Sequence, residues 1–223
     1  CITVAWCLTG GRVGSVEGVD RLRGPTGFLY GFGEPGGVVN DVSKRPTDVP
    51  LRRVSLGYRS GGVKLAHLDR GGRWGEDARY GYRLNVAKEQ GRTYNGGSVD
   101  RNVLSAALDA RITRDLTWDM SWIWQDRMLK DANPWFGLGP GVTRAPVPID
   151  GSKDYSVNGS FVGAKTWGLN SGLRWNINPD WKASLVVART HFIENVVFPY
   201  ATVTNNNGDY TLNGYEMHNR VNT

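Results

Sequence analysis

The sequence predicts an all-β fold made of consecutive antiparallel strands, and three observations support this prediction. Glycine (30 residues), tryptophan (9) and tyrosine (9) are frequent in a chain of 223 residues, whereas apolar residues make up only 39%. That composition suits many short strands and turns better than a helical bundle. From about residue 52 onward, apolar and polar residues alternate with a period of two, and turn signals interrupt the alternating runs.

The alternating runs predict seven strands and the beginning of an eighth. In chain order we place them at 51–60, 62–70, 78–91, 99–113, 116–128, 161–177 and 181–194, with the last beginning near residue 209. Lys64, His67 and Asp69 blur the alternation of the second run, so its pattern is weak. Turn signals such as Gly61-Gly62 and Gly96-Gly97 separate neighbouring runs and indicate consecutive hairpins.

The segment 98–111 fits two patterns. Val99, Val103 and Ala107 have helical spacing, and Ser98 could cap a first helical turn. The same segment also alternates between apolar and polar residues from Leu104 onward. We predict a strand, because both neighbouring segments are strands and a lone helix would interrupt the series of hairpins.

A long connection, 129–160, contains Pro134, Pro140, Pro146 and Pro148 and shows no alternation. Loops of this length within a compact domain are usually functional or disordered. A barrel with short turns at one rim and long loops at the other would show this asymmetry.

The alternation alone leaves open which face of the sheet meets water. A soluble sandwich buries its apolar face, whereas a transmembrane barrel turns that face toward lipid and its polar face inward. The predicted strands of roughly 10–15 residues exceed the usual soluble length of about 5–6 residues. Aromatic residues lie on the apolar faces near strand ends, as in the interfacial girdles of membrane barrels. These residues are Trp118, Trp122, Trp124, Trp167, Trp175 and Trp181. We therefore expect a transmembrane barrel, with a soluble β-sandwich as the alternative.

Composition and motifs argue against several other functions. The net charge is +6, from 27 basic and 21 acidic residues, but the basic residues are scattered, so we expect no nucleic-acid partner. Cys1 and Cys7 are too few for a disulfide framework, and His67, His191 and His218 are too dispersed for a metal site. Neither a nucleotide-binding loop nor a Ser/His/Asp grouping is present, so we expect neither an enzyme nor a cofactor.

Several spaced motifs lie close together in the first fifty residues. They are Leu22-Arg23-Gly24-Pro25, Leu29-Tyr30-Gly31, Pro35-Gly36-Gly37-Val38-Val39-Asn40 and Lys44-Arg45-Pro46. In this order they resemble the end of the plug domain of TonB-dependent outer-membrane receptors of the ferric-siderophore type. A looser likeness continues through the predicted strands to about residue 194. The residues that carry the plug motif are Arg23, Gly24, Pro25, Tyr30, Gly31, Gly36, Gly37, Asn40, Lys44, Arg45 and Pro46.

The resemblance implies two domains. Residues 1–48 would be the C-terminal part of a plug, of which 1–14 are atypical, and 49–223 the N-terminal part of the barrel. Barrels of this family have 22 strands around a plugged lumen, so the fold implied is a partial antiparallel transmembrane barrel with about seven to eight of those strands. We therefore expect a partial sequence, without most of the plug, the later strands or the N-terminal coupling segment. Lys44-Arg45-Pro46 would mark the exit from the plug to the first barrel strand.

The resemblance also implies a function and partners. Such a receptor imports a ferric siderophore across the outer membrane of a Gram-negative bacterium, in contact with outer-membrane lipid. The inner-membrane TonB complex supplies the energy through the N-terminal segment. The plug motif leaves open another nutrient, such as haem, cobalamin or a sugar, and the alternation leaves open a soluble carbohydrate-binding β-domain.

Two pairs of residues are candidates for specific roles. Arg21 and Arg23 lie on the implied plug, where a buried cation needs a carboxylate partner, so we predict that they form a latch of ion pairs with the barrel. Trp135 and Phe136, on the long connection, suit a bulky chelate with apolar and π-rich parts. Packing of this aromatic pair within the loop is an equally good explanation.

Overall fold

The computed structural model describes residues 16–23, 37–59, 61–144, 146–148, 150–151 and 153–222. For residues 18–23 and 37–41 the description covers the backbone alone. The described strands are β1 (Val16–Arg23), β2 (Gly37–Ser43), β3 (Leu51–Arg59), β4 (Val63–Trp74), β5 (Tyr80–Arg92), β6 (Ser98–Arg111), β7 (Leu116–Lys130), β8 (Trp135–Leu138), β9 (Phe161–Asn176), β10 (Lys182–Val203) and β11 (Tyr210–Asn222). A short 3-10 helix, Glu76–Ala78, connects β4 and β5. No helix in the described part of the chain is long and apolar enough to cross a membrane.

The strands form two antiparallel sheets. β1 pairs with β2 in a small sheet, and the remaining strands form a nine-stranded sheet in the order β11-β10-β9-β7-β6-β5-β4-β3. Consecutive strands are neighbours along this order, except that the short β8 pairs in parallel with the end of β10. The predicted series of hairpins is thereby confirmed.

The segment 98–111 is strand β6, as predicted. It pairs with β5 from Arg92↔Ser98 to Tyr80↔Ala110 and with β7 from Ser98↔Lys130 to Arg111↔Thr117. Two complete ladders of backbone hydrogen bonds outweigh the helical preference of this segment, because local propensity differences amount to only about 0.7 kcal/mol per residue.

The structure differs from the predicted strands at two places in particular. β10 runs to Val203, beyond the predicted end at 194, because residues 191–203 pair with β11 on one side and residues 200–203 pair with β8 on the other. β8 itself was not predicted, since a four-residue strand is too short to show a period.

The two faces of the large sheet have opposite character. On β5, Arg83, Asn85 and Glu89 are buried, whereas Leu84 and Val86 between them are 37% and 41% exposed. A soluble sheet would bury the leucine and the valine instead. We call the buried polar face the inner face and the exposed apolar face the outer face. This arrangement agrees with the barrel interpretation and contradicts the soluble sandwich.

The connections lie at two rims. Short turns at 75–79, 112–115 and 177–181 form the short-turn rim, where β3 also begins. The opposite end, which we call the long-loop rim, carries the connection 131–160 among others. A backbone hydrogen bond from Asp131 N to Ser160 O, 2.8 Å long, closes the base of that long connection.

Aromatic side chains gather on the outer face near the short-turn rim. Trp74 stacks against Tyr80 with ring centroids 5.6 Å apart and approaches Tyr82 at 5.7 Å. The indole N–H of Trp118 donates to Ser171 Oγ at 2.9 Å. Rings with one apolar and one hydrogen-bonding part suit the boundary between lipid and water.

Candidate functional site

The segment between β2 and β3, which we call the linker (44–50), is bound to the inner face by ionic contacts. Lys44 Nζ donates to Asp69 Oδ2 at 2.7 Å and to Asn85 Oδ1 at 3.0 Å. Arg83 donates from Nε and Nη2 to the two oxygens of the same Asp69 carboxylate, at 2.8 and 2.9 Å. Asp69 is fully buried, so two cations and charge-assisted hydrogen bonds compensate for its desolvation.

Arg83 also contacts the linker and the small sheet. Its Nη1 donates to the backbone oxygen of Arg45 at 3.2 Å and lies 3.6 Å from Glu17 Oε2 on β1. One buried guanidinium on β5 therefore contacts the linker backbone, the small sheet and the carboxylate of Asp69.

A second ionic group holds the end of the linker at the short-turn rim. Asp48 Oδ1 accepts hydrogen bonds from Arg73 Nε at 2.6 Å and from Arg111 Nη2 at 2.9 Å. Arg73 also forms a bidentate pair with Asp109, at 2.7 and 3.0 Å. The hydrogen bond and charge of Arg73, followed by those of Arg111, lower the pKa of Asp48 below its ordinary 3.8.

Two glycines of the large sheet let the linker lie close to the inner face. A Cβ atom on Gly81 would lie 2.7 Å from Pro46 Cβ, and one on Gly71 would lie 2.9 Å from Thr47 Oγ1. Side chains at these two positions would push the linker away from the strands.

A second set of buried charges lies toward the long-loop rim. Glu89, Arg101, Arg127 and Glu194 are 2%, 6%, 3% and 6% exposed. They lie in one row across the sheet, because Glu89 is in register with Arg101, Arg101 with Arg127, and Arg127 with Glu194 through Ala164. We call these four residues the charged row.

The charged row contains close ion pairs. Arg101 Nη1 lies 2.9 Å from Glu89 Oε2, and Arg59 Nη1 lies 2.9 Å from Glu89 Oε1. Asn219 Nδ2 donates to Glu194 Oε2 at 3.3 Å. An inner face with fixed charges of both signs can bind the polar surface of an enclosed domain or line a path for a polar solute.

The structure places Trp135 and Phe136 in β8 but on different faces. Trp135 is in register with Tyr200, and Phe136 with Ala201, so their side chains alternate across the strand. The Trp135 ring lies 5.0 Å from that of Phe198 and is 61% exposed. The sequence analysis therefore grouped two residues whose side chains lie on opposite faces of one strand.

Trp135 belongs to a cluster of rings that the sequence analysis missed. Phe198 stacks on Tyr215 at 5.7 Å, and Tyr200 meets Tyr215 edge-on at 5.7 Å. Phe198 and Tyr200 share the face of Glu194, since residues of one parity lie on the same side of β10. We call Trp135, Phe198, Tyr200 and Tyr215 the aromatic cluster. The apolar run at 196–201, with Phe198 and Tyr200 two residues apart, was the signal that could have revealed it.

The predicted latch and plug-motif residues lie mostly beyond what the structure describes. Arg21 and Arg23 are in register with Val39 and Gly37, but their side chains are not among those described. Asn40 is in β2 opposite Asp20, likewise by its backbone alone. The motif residues outside the described part are Gly24, Pro25, Tyr30, Gly31 and Gly36. The latch formed by the two arginines stays a prediction.

Comparisons with known proteins agree with this geometry. No protein-family model matches the chain. The ferrichrome receptor FcuA of Yersinia enterocolitica is 27% identical over 202 residues, which cover 88% of this chain and 26% of that protein. The ferric-pyoverdine 358 receptor of Pseudomonas putida is 27% identical over 211 residues, or 91% and 24% of the two chains. The chain is thus similar in sequence to siderophore receptors over most of its length.

Solved structures show the same fold. The ferric preacinetobactin receptor BauA from Acinetobacter baumannii superposes with a TM-score of 0.83 at 21% identity, over 92% of this chain and 31% of that one. The ferripyoverdine receptor of the outer membrane of Pseudomonas aeruginosa gives 0.72 at 20% identity, over 93% and 28%. The open sheet thus has the fold of part of the barrel of these receptors, as the sequence predicted. The chain spans about a quarter of the length of the curated relatives it matches.

Proposed function

We propose that the chain forms part of an outer-membrane receptor that takes up ferric siderophores with energy supplied through TonB. The observation that carries the proposal is the pairing of an exposed apolar outer face with a buried, charged inner face to which the linker is bound. Relatives named for ferrichrome and ferric pyoverdine support the substrate class. The protein lies in the outer membrane of a Gram-negative bacterium, where lipid meets the outer face.

In this proposal the two sheets belong to two domains with different roles. Residues 1–48 act as the end of the plug and 49–223 as the first part of the barrel. In support of this, β1 and β2 pair only with each other within the described part of the chain, and the linker leads from them to β3. Transport through such a receptor changes no covalent bond, and the relatives are named as receptors or transporters.

The ionic contacts of the linker act as the latch between plug and barrel. Four described ion pairs join the two parts. Lys44–Asp69 and Glu17–Arg83 measure 2.7 and 3.6 Å, and Asp48 pairs with Arg73 and Arg111 at 2.6 and 2.9 Å. Arg21 and Arg23 would add further pairs. Removing one partner of a buried ion pair costs about 3–5 kcal/mol. A pull from the inner membrane must therefore either leave the linker in place or overcome a barrier of that order.

Within the aromatic cluster at the long-loop rim, Trp135 provides the surface for the chelate. Trp135 offers an exposed ring on the face of Tyr200, while Phe136 points to the opposite face. In this proposal Trp135 contacts the siderophore and Phe136 does not.

Growth of an iron-starved strain tests the function. A Gram-negative strain without its own siderophore receptors would express the complete gene that encodes this chain and receive one ferric chelate at a time. Growth with at least one chelate, abolished when the TonB complex is deleted, is the expected result.

The alternatives predict different outcomes in this growth experiment or in a test of solubility. Growth restored only by haem, or rescue of a cobalamin or sugar requirement instead, would assign the receptor to another nutrient. A chain that stays monomeric and folded in plain buffer without detergent would contradict the membrane barrel and favour the soluble carbohydrate-binding domain.

A further inference from the structure

The chain contains four Asn-Gly dipeptides, which are Asn95-Gly96, Asn158-Gly159, Asn207-Gly208 and Asn213-Gly214. Because glycine has no Cβ atom, its backbone nitrogen can come close to the side-chain carbon of the preceding asparagine. Attack of this nitrogen on the amide carbon is the first step of deamidation. The surroundings of the four dipeptides differ, so the structure distinguishes them.

Asn158-Gly159 lies at the end of the long connection, opposite a carboxylate. Gly159 N donates a hydrogen bond to Asp131 Oδ1 at 3.2 Å. The base of the connection keeps the two segments together, since Asp131 N donates to Ser160 O at 2.8 Å and Ala132 N donates to Ser160 Oγ at 2.7 Å. Asn158 and Gly159 are exposed, and a Cβ atom on Gly159 would meet nothing within 4 Å. Water therefore reaches a dipeptide whose nitrogen is held against a base.

The other dipeptides have different surroundings. Gly96 N donates to the backbone oxygen of Thr93 at 3.3 Å, and Gly208 N donates to that of Asn205 at 3.2 Å. A neutral carbonyl oxygen is a much weaker base than a carboxylate. Asn213-Gly214 lies within the ladder of β10 and β11, where strand pairing holds the backbone.

We propose that Asn158-Gly159 is a self-modifying site, at which Asp131 promotes the deamidation of Asn158. The Asp131 carboxylate takes the proton of Gly159 N while this nitrogen forms a bond to Cγ of Asn158. The bond from Cγ to the side-chain nitrogen breaks, the proton passes to that nitrogen, and ammonia leaves. Water then opens the cyclic imide and gives aspartate or isoaspartate, and Asp131 is unchanged at the end.

The modification would alter the base of the long connection. Both products place a new carboxylate close to Asp131, and like charges at short range repel each other. Isoaspartate also adds a methylene group to the main chain between Asn158 and Gly159. Both changes weaken the contact of Gly159 with Asp131. The reaction itself requires neither a siderophore nor TonB, so it can be tested separately from the proposed uptake.

Peptide mapping of the complete receptor in detergent tests the proposal. The protein is aged in neutral buffer, and mass spectrometry follows the conversion of each Asn-Gly dipeptide with time. Asn158 should be converted at least about tenfold faster than Asn207, because a positioned base commonly contributes that much or more. Equal rates at the two asparagines would overturn the proposal.

The variant Asp131→Asn tests the base directly. It keeps an acceptor for Gly159 N, and asparagine tolerates the positive φ of 54° at this position. Conversion of Asn158 should become about tenfold slower or more, whereas conversion of Asn207 should stay unchanged and so report an intact fold. An unchanged rate at Asn158 would overturn the proposal. A faster rate would also overturn it, because Asp131 would then protect the asparagine by holding the backbone.

Two further variants separate the base from the rigidity of the connection. Ser160→Ala removes the hydroxyl that Ala132 N contacts but keeps the carboxylate, so it should not slow the conversion of Asn158. A loss equal to that in Asp131→Asn would assign the effect to rigidity and overturn the role of Asp131 as base. Asn158→Asp mimics one product and should raise the protease sensitivity of residues 131–160. Unchanged sensitivity would overturn the effect on the connection.

Discussion

Lys44, the first residue after β2, places its ammonium 2.7 Å from the buried carboxylate of Asp69 on β4. This contact connects a short basic motif near the start of the chain with the inner face of the sheet. Because Arg83 binds the same carboxylate, three charges from the linker, β4 and β5 form one group. Its members depend on each other, since removing one leaves another buried without compensation.

The first prediction concerns Asp69. Asp69→Asn leaves the buried Arg83 and Lys44 without their shared carboxylate, so it should lower the free energy of unfolding by about 3–5 kcal/mol. Denaturant unfolding of the complete receptor in detergent measures this. Asp100→Asn is the matched control, because it removes an exposed pair with Lys88 and should cost less than about 1 kcal/mol. Equal effects of the two variants would mean that the Asp69 group does not hold the linker.

The second prediction concerns the close approach of the linker. In Gly81→Ala the new methyl group would lie 2.7 Å from Pro46, so the linker must shift, at a cost of about 1–3 kcal/mol. The mobility of a spin label at Val49 should rise. Gly57→Ala is the control, because its Cβ would make an ordinary 3.4 Å contact with Leu65. Unchanged mobility in Gly81→Ala would show that the linker does not depend on this contact.

The fold was predictable from the sequence to the extent that it depends on alternation. The two faces of β5 can be identified without any knowledge of its neighbours, because Leu84 and Val86 alternate with Arg83 and Asn85. Which face is enclosed required the further argument from aromatic residues near strand ends.

The site was less predictable, because it depends on register. Glu89, Arg101, Arg127 and Glu194 are far apart along the chain, and each looks like a solvated charge in its own strand. Only the pairing of five strands brings them into one row. The sequence analysis recognised Lys44 as part of a motif, but it noted its partner Asp69 only as a residue that weakens the alternation of a strand.

The third prediction is a pH dependence of the linker. Arg73 and Arg111 hold the pKa of Asp48 below 3.8 in the folded protein, so their contribution to stability is fully present above the unfolded pKa. It is lost as the pH falls through the folded pKa, when Asp48 takes up a proton. Spin-label mobility at Val49 should therefore rise on acidification. In Asp48→Asn the label should be mobile already at neutral pH, and a mobility independent of both pH and this substitution would contradict the assignment.

The fourth prediction separates ligand contact from loop packing at Trp135. If Trp135 contacts the chelate, Trp135→Ala should weaken binding of the transported siderophore about tenfold, a typical effect of removing an aromatic anchor. Phe136→Ala, on the other face of β8, should leave affinity within about twofold.

Phe198→Ala removes the ring 5.0 Å from Trp135 and tests the rival explanation. If the Trp135 ring serves only to pack the connection 131–160, both Trp135→Ala and Phe198→Ala should raise its protease sensitivity equally and alter affinity equally. A loss of affinity confined to Trp135→Ala, with the connection still protected, assigns the tryptophan to the ligand, because an exposed ring can be removed without loosening the strand that carries it.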